Sequence, residues 1–428
     1  MSAHAAAGPP DAGADGRGRL AHRAGARGPA DERLLQTVRE SVLSEAGAVT
    51  PSRVAAAVQA TGRLLGTAGA LAAVDSISAE LTGLGPLQAL ARDPAVTDIF
   101  VNGPDSVWLD RGNGAEKVPV FFSGEPQVRA LAVRLVAAGG RRLDDGCPCV
   151  DVRLDGGYRV HAVLPPISTT GTLLSVRIRR ERVFTMPDLR QHGMFGALVK
   201  TVLESMIERR LGFLISGATG SGKTTLLATL LGLCHPGERL VLIEDASELN
   251  PMHPHVVSLE ARHGNLERSG VVDLGELVRQ ALRMRPDRLV VGECRGAEVR
   301  ELLTAMNTGH TGGGGTIHAN TAAAVPARLI ALGALAGMDP DAVRLQVASA
   351  LEVVVHVGRT GNRRYVSSIG VLEEREKGLA VSMALEASGA AAAPEGGEDP
   401  HNAARCGPGW PRLADRLGLD PSMGGAEA

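Results

Sequence analysis

A short apolar run that leads into a glycine-rich loop constrains this chain more than any other feature. The run, residues 211–216, has the composition of a buried strand, and the loop after it has the pattern Gly-x-x-x-x-Gly-Lys-Thr. An uninterrupted helical pattern then continues to Leu231. A strand, such a loop and a helix in this order indicate a phosphate-binding loop, because glycines let successive backbone N–H groups point at one phosphate chain. We therefore predict that the chain binds a nucleotide.

The lysine and the threonine at the end of the loop each have a chemical role in binding a nucleotide. We expect the Lys223 ammonium to reach the β- and γ-phosphates and the Thr224 hydroxyl to hold Mg²⁺. A chance glycine loop is the alternative, since the chain has 54 glycines, but only four of its 45 basic residues are lysines and one of them stands here. The residues predicted to bind ATP are Gly217, Ala218, Thr219, Gly220, Ser221, Gly222, Lys223, Thr224 and Thr225.

Composition and charge argue against several classes of protein. A net charge of −2 and a pI near 6.6 give no overall attraction for nucleic acid or anionic lipid. The five cysteines are scattered and odd in number, which argues against a disulfide framework and fits a reducing cytosol. The longest nearly apolar run, residues 64–74, is shorter than the roughly 20 residues that span a bilayer. We expect a cytoplasmic protein that does not insert into a membrane.

The first half of the chain divides into three segments. Residues 1–30 are dominated by Ala, Gly and Pro and are expected to be disordered. Residues 31–85 show helical periodicity. Residues 86–185 combine several short alternating strands with one helical pattern around Leu131, which predicts an α+β domain with a mainly antiparallel sheet.

The second half has a different pattern. Residues 186–193 are interpreted as a linker. Strands and helices alternate over residues 194–373, which predicts an α/β domain with a mostly parallel sheet. Residues 374–428 are rich in Ala, Gly and Pro and are expected to be mostly disordered, apart from one helical turn near residues 412–419.

Two apolar strands of this domain end in carboxylates. Glu244 and Asp245 come directly after residues 239–243, and Glu293 lies shortly after residues 288–291. Strands in such sheets present ligand-handling residues at their carboxyl ends, so we expect the three carboxylates to converge near the phosphate loop. Glu293 is then the candidate catalytic glutamate, with Glu244 and Glu293 in the metal shell and Asp245 beside it. An ordinary helix cap or ion pair is the alternative for any one of them.

A glycine run between two histidines is the second informative stretch. His310 and His318 bracket it, and polar residues cluster at both ends. A flexible loop and a metal site are possible interpretations, but the spacing matches no strong zinc pattern. We interpret the stretch as a γ-phosphate sensor, a mobile loop whose imidazole donates to the terminal phosphate and loses that contact on hydrolysis.

These motifs, in this order, resemble those of the secretion and pilus-assembly ATPases of type II and type IV systems. Residues 242–249, 283–296 and 305–320 match the family's Asp box, Walker B strand and His box. The likeness covers roughly residues 80 to 372. It is closest to the branch that assembles tight-adherence (Flp-type) pili, the CpaF/TadA-like proteins, and the lack of a four-cysteine zinc subdomain fits that branch.

The resemblance implies a RecA-like ATPase core preceded by a smaller, PAS-like α+β domain. It implies Mg²⁺–ATP as substrate, a homo-oligomeric ring of six subunits, and a polytopic inner-membrane platform protein as partner. The protein would be cytoplasmic and peripheral at the inner face of the membrane, and it would power pilus assembly or protein secretion. A DNA-transfer motor of conjugation and a nucleotide-gated scaffold with little turnover are the alternatives.

A cluster of arginines crowds the end of the α+β domain and includes Arg177 and Arg179. Such a cluster is usually a solvated or ion-paired surface. Nucleic-acid binding is disfavoured because only Tyr158 is nearby to stack on a base. The resemblance implies a third role, in which Arg177 and Arg179 stabilise charge at the γ-phosphate as arginine fingers do.

Overall fold

The chain consists of two compact units, residues 1–180 and 181–428. The computed structural model describes residues 37–38, 40–42, 44, 50–61, 66–112, 114–154, 156–178, 183–262, 270–309, 311–361, 363–375, 378–387 and 404–425. The stretch 1–30, expected to be disordered, lies outside the described residues. Together the two units confirm the predicted fold class, a RecA-like α/β core preceded by a smaller α+β domain.

The described part of the first unit contains a six-stranded antiparallel sheet. In chain order its elements are α1 (Pro51–Ala60), α2 (Gly66–Leu81), α3 (Gln88–Arg92), β1 (Asp98–Val101), β2 (Val107–Asp110), β3 (Ala115–Val118), α4 (Glu125–Ala138), β4 (Cys149–Leu154), β5 (Tyr158–Val163) and β6 (Leu173–Ile178). The strands lie in the order β3-β2-β1-β6-β5-β4. The apolar stripe of α4, including Val128 and Leu135, packs in one core with inward residues of β4 and β5 such as Val150 and Val160.

The described part of the second unit is built on a nine-stranded sheet. Its elements are α5 (Met186–Gln191), α6 (Ala197–Glu208), β7 (Phe213–Gly217), α7 (Lys223–Leu231), β8 (Leu240–Glu244), β9 (Val256–Glu260), α8 (Leu274–Ala281), β10 (Arg288–Cys294), α9 (Val299–Asn307), β11 (Gly314–Ile317), α10 (Val325–Leu335), α11 (Pro340–Ala350), β12 (Val353–Thr360), β13 (Arg363–Arg375), β14 (Gly378–Ala387), β15 (Ala404–Cys406) and α12 (Trp410–Leu417). The order is β15-β14-β13-β12-β7-β11-β10-β8-β9, parallel from β12 to β9 and antiparallel from β13 to β15.

The strand before the phosphate loop lies in the middle of this sheet. Phe213 and Ile215 enter the core on the side of α6 and α7, and Leu214 enters the core on the side of α9, α10 and α11. Burial on both faces explains why β7 is a continuous apolar run. β11 lies between β7 and β10, as expected of a RecA-like sheet in which one strand separates the phosphate loop from the catalytic glutamate.

The segment predicted as a linker, 186–193, instead carries the helix α5. Thr185 and Asp188 form a capping box at its start, and Pro187 occupies its first turn. Met186 and Leu189 are buried in the core of the second unit. The linker prediction was therefore wrong at this point, because a short capped helix with two apolar anchors was taken for a connection.

The prediction of a mostly disordered tail after residue 374 is also wrong. β13 continues to Arg375, β14 pairs with it, β15 pairs with β14, and α12 comes next. Trp410, Leu413 and Leu417 on one face of α12 are buried in the same core as Phe213 of the phosphate-loop strand. The sequence predicted one helical turn near residues 412–419, and the structure has an eight-residue amphipathic helix there, whose apolar face anchors the segment.

Replacing Trp410 with alanine should destabilise the second unit by about 3–5 kcal/mol, the usual cost of emptying a buried aromatic site. Trp410 is 4% exposed, and its indole N–H donates to the Pro421 carbonyl at 2.7 Å. Urea unfolding followed by far-UV circular dichroism measures the change. Met423→Ala, on an exposed side chain of the same segment, is the control and should unfold like the wild type. A Trp410→Ala midpoint equal to that of the control would mean that α12 is not anchored.

Candidate functional site

The loop between β7 and α7 has the backbone that phosphate binding requires. Gly217, Gly220 and Gly222 have φ values of 151°, 72° and 99°, a region in which side chains are disfavoured. A methyl group at Gly217 would lie 2.4 Å from the Val357 carbonyl oxygen, so the loop can lie this close to β12 only with glycine there. The loop therefore turns sharply between β7 and α7 and packs directly against β12.

The polar groups of the loop suit an anion. Helix α7 begins at Lys223, and the first N–H groups of a helix have no partner within it, which makes this end favourable to phosphate. The Ser221 hydroxyl is buried and makes no hydrogen bond. Thr224 and Thr225 are half-buried in the first turn. The predicted nucleotide-binding residues thus lie together in one loop and one helical turn.

The Lys223 side chain is folded back onto the loop. Its ammonium donates to the carbonyls of Gly217 at 3.0 Å and Ala218 at 2.9 Å, and the residue is 7% exposed. Burial lowers the pKa of Lys223, and the Arg295 charge lowers it further, whereas Glu293 opposes the shift. The Lys223 ammonium is therefore buried at the loop, and phosphate oxygens could replace the two carbonyls as its hydrogen-bond acceptors.

Glu293 and His318 lie together at the carboxyl edge of the sheet, at the ends of β10 and β11 respectively. The His318 Nε2 contacts one carboxylate oxygen of Glu293, and Arg295 donates to the other through Nε at 2.6 Å. Burial and then the Lys223 charge lower the pKa of His318. The imidazole is therefore mainly neutral at pH 7 and can still donate one N–H. Glu293 and His318 each interact electrostatically with the loop lysine, Lys223.

The other two predicted carboxylates, Glu244 and Asp245, make different contacts from Glu293. Glu244 is 4% exposed, and its Oε1 accepts the backbone N–H groups of Glu248 at 2.8 Å and Leu249 at 2.9 Å. It also packs against Gly292, where a methyl group would lie 2.6 Å from its Cγ. Asp245 lies 4.0 Å from the Arg295 guanidinium. Glu244 thus holds the turn after its own strand, and Arg295 links Asp245 to Glu293.

Three predicted site residues remain, Arg177, Arg179 and His310. Arg179 and His310 lie outside the described residues. Arg177 is exposed on β6 in the first unit. Across the described parts of the chain, no group of three or more His, Cys, Asp or Glu side chains is arranged to hold a metal ion.

Sequence reasoning missed several residues at the loop. Arg295 is two residues from Glu293, and this closeness is the sequence signal that could have pointed to it. His356 on β12 bonds through Nδ1 to the buried Ser216 hydroxyl at 2.8 Å, immediately before the loop. Arg359 and Arg364 flank the loop from the β12–β13 hairpin. These last three are far from the loop in sequence, and only the pairing of β12 with β7 brings them near it.

Comparisons with known proteins agree with this architecture. The family model described as type II/IV secretion system protein matches residues 80–382. A Mycobacterium tuberculosis protein named for conjugal transfer is 49% identical over 320 residues, covering 73% of this chain and 91% of the relative. The conjugal transfer protein TrbB of Rhizobium radiobacter is 32% identical over 293 residues, covering 67% of this chain and 87% of the relative.

Among solved structures, the pilus retraction motor PilT with bound ADP is similar to this chain with a TM-score of 0.50 and 21% identity. The similarity covers 71% of this chain and 82% of that one, and at this identity it concerns the fold alone. The family match, by contrast, spans well over half of the sequence and contains the phosphate loop, Glu293 and His318. The chain belongs to the type II/IV secretion system protein family.

Proposed function

We propose that the protein hydrolyses ATP at residues 217–225 and that this hydrolysis drives a secretion or pilus-type machine. The observation that carries the proposal is the convergence of Lys223, Glu293 and His318 at one end of the phosphate loop. The shifted pKa values of Lys223 and His318 indicate that these side chains share one electrostatic environment. Membership of the secretion family supports the same activity.

The side chains at this end have separable roles in the proposed reaction. Lys223 leaves the Gly217 and Ala218 carbonyls and binds the β- and γ-phosphates. The Glu293 carboxylate orients and activates the attacking water. Neutral His318 has a single N–H, and it exchanges the Glu293 oxygen for the terminal phosphate as the acceptor, so that it reports whether that phosphate is present. Arg295 positions Glu293 by holding one of its oxygens.

The site has oxygen donors of the kind that Mg²⁺ prefers, the Thr224 hydroxyl and the Glu293 carboxylate. These two residues would hold the ion together with the phosphates, and the ion would neutralise charge on the phosphate chain. Glu244 is better suited to a supporting role, since one of its oxygens already holds the backbone of residues 248 and 249.

The assembly that we propose is a hexameric ring bound to a polytopic inner-membrane platform protein. No helix in the described parts of the chain is both long and apolar enough to cross a bilayer. Association with the cytoplasmic face of the inner membrane would then depend on that partner. Within the family, we favour the tight-adherence pilus branch because its motif order and its lack of a four-cysteine zinc subdomain match this sequence.

A conjugation-associated DNA-transfer ATPase is the second candidate. It is favoured by the relative of 49% identity, which is named for conjugal transfer. The near-neutral charge of the chain argues against tight, nonspecific contact with DNA. A nucleotide-gated scaffold with little turnover is a third candidate, and it would need the same nucleotide site without efficient hydrolysis.

ATPase assays of the purified full chain distinguish the three. Membranes that contain the cognate platform should stimulate turnover several-fold, whereas single-stranded and duplex DNA should not. Stimulation by DNA alone would favour the conjugation motor. The Lys223→Ala variant lacks the ammonium proposed to bind phosphate, so its rate measures the background ATP hydrolysis that does not depend on this site. If wild-type turnover never exceeds that background under any condition, ATP hydrolysis is refuted and the scaffold is favoured.

A further inference from the structure

The β12–β13 hairpin extends beyond the sheet alongside the phosphate loop. β12 stays paired with β7 up to Val357, which lies opposite Gly217, and then continues to Thr360. Arg359 on β12 lies directly opposite Arg364 on β13. Residues directly opposite one another in an antiparallel pair project from the same face of the sheet. Two guanidinium groups therefore share one face of the hairpin next to the loop.

Both arginines contact the loop closely. The Arg364 Nε–H donates to the Gly220 carbonyl at 2.9 Å. A methyl group at Gly220 would lie 3.4 Å from Arg359 Nη1, and one at Gly222 would lie 3.2 Å from Arg364 Cδ. The two glycines thus leave room for the arginine side chains as well as for the curled backbone. Arg364 holds the loop in place and Arg359 lies beside it.

The pairing of these two charges is electrostatically unfavourable by itself. Like charges directly opposite one another destabilise an antiparallel pair. Burial against the loop, and then the charge of Arg359, lower the pKa of Arg364. Arginine nevertheless remains protonated in proteins, so neither side chain can relieve the repulsion by losing its proton. An anion bound against both guanidinium groups would be attracted by both charges.

The order of the strands indicates which part of a nucleotide these arginines would meet. Glu293 and His318 lie at the ends of β10 and β11, on one side of β7, whereas the hairpin continues from β12 on the other side. Adjacent strands are about 4.8 Å apart, so roughly 14 Å separates β10 from β12. If the terminal phosphate faces Glu293, the arginines lie near the opposite end of the phosphate chain.

We propose that Arg359 and Arg364 bind the α-phosphate end of the nucleotide, the part that ATP and ADP share. The inference rests on the proposed nucleotide-binding function and adds a cationic subsite to it, supplied by the same subunit as the loop. Guanidinium groups form short, charge-assisted hydrogen bonds to phosphate oxygens. The subsite therefore sets affinity for both nucleotides, whereas Glu293 and His318 act only where a terminal phosphate is present.

Isothermal titration of the full chain with Mg²⁺–ADP and with a non-hydrolysable Mg²⁺–ATP analogue tests the subsite. Arg359→Gln should weaken binding of both nucleotides by about tenfold, the loss expected for one charge-assisted hydrogen bond. Arg359→Lys, which keeps the charge, should recover part of the affinity. Arg364→Gln should lose more than Arg359→Gln, because it also releases the Gly220 carbonyl.

Arg363→Gln is the matched control. It removes the same charge from the same hairpin, but Arg363 alternates to the other face and donates to the Gly193 carbonyl. Its nucleotide affinity should equal that of the wild type. An equal loss in this control, a loss confined to the ATP analogue, or no loss in Arg359→Gln would each overturn the α-phosphate assignment. A wild-type chain that binds neither nucleotide would instead overturn the proposed function.

Discussion

We expect replacement of Glu293 with glutamine to lower the ATP turnover number by about 10²- to 10⁴-fold, the range expected when a group that handles a proton or a water is neutralised. Glutamine has almost the same shape, so the contacts of β10 and the phosphate loop should persist. The Lys223 ammonium is the group expected to bind the phosphates and remains in place. Nucleotide affinity should therefore change little, and the variant should stall with ATP bound.

Steady-state turnover and titration with a non-hydrolysable ATP analogue separate these two effects. Glu301→Gln is the control, because Glu301 is a carboxylate on α9 that pairs with Arg279 and does not contact the phosphate loop. Glu244→Gln makes a sharper comparison, since glutamine keeps the oxygen that accepts from residues 248 and 249. It should retain most of its turnover. If Glu244→Gln abolishes turnover while Glu293→Gln remains active, the catalytic role belongs to Glu244 instead of Glu293.

Local sequence signals were enough to predict the central strands of the second unit and the positions of Glu244 and Glu293 near the ends of their strands. A buried strand is apolar throughout, and the residues just beyond its carboxyl end in a parallel sheet face the ligand. The strand β7 and the loop after it occupy about a dozen consecutive residues, and β10, which contains Glu293, occupies fewer. Their positions could therefore be read without knowing which strands are neighbours.

The use of Glu244 could not be predicted in this way. Its position at the end of β8 was predicted correctly, but its Oε1 is occupied by backbone N–H groups from the next turn of the chain. Whether a carboxylate faces a ligand or its own backbone depends on the dihedral angles of that turn. The residue types alone do not fix those angles.

The arginines and the histidine beside the loop were missed for a topological reason. Arg359, Arg364 and His356 belong to β12 and β13, which approach the loop only because β12 pairs with β7. In sequence these strands are two apolar runs joined by a polar turn, and that pattern fits a hairpin at any edge. The α12 helix was predicted only as one helical turn near residues 412–419, because its eight residues stand within a segment rich in Ala, Gly and Pro.

The largest effect that we expect belongs to Arg179. If this arginine stabilises charge at the γ-phosphate of a neighbouring subunit, Arg179→Ala should lower the turnover number by about 10³- to 10⁵-fold, as for loss of an arginine finger. Arg177→Ala is the second variant to test, because Arg177 is exposed on β6 and belongs to the same cluster. Arg141→Ala, an exposed arginine elsewhere in the first unit, is the control and should keep full activity.

Mixing two inactive chains tests whether the arginine acts across a subunit boundary. An Arg179→Ala chain keeps an intact phosphate loop, and a Lys223→Ala chain keeps an intact arginine. In a mixed ring the second chain can supply its arginine to the loop of the first, so activity should reappear on mixing. Activity per chain of the wild type should also rise with protein concentration as rings form. If the mixture stays inactive and wild-type activity per chain is independent of concentration, each subunit holds a complete site and the arginine does not act in trans.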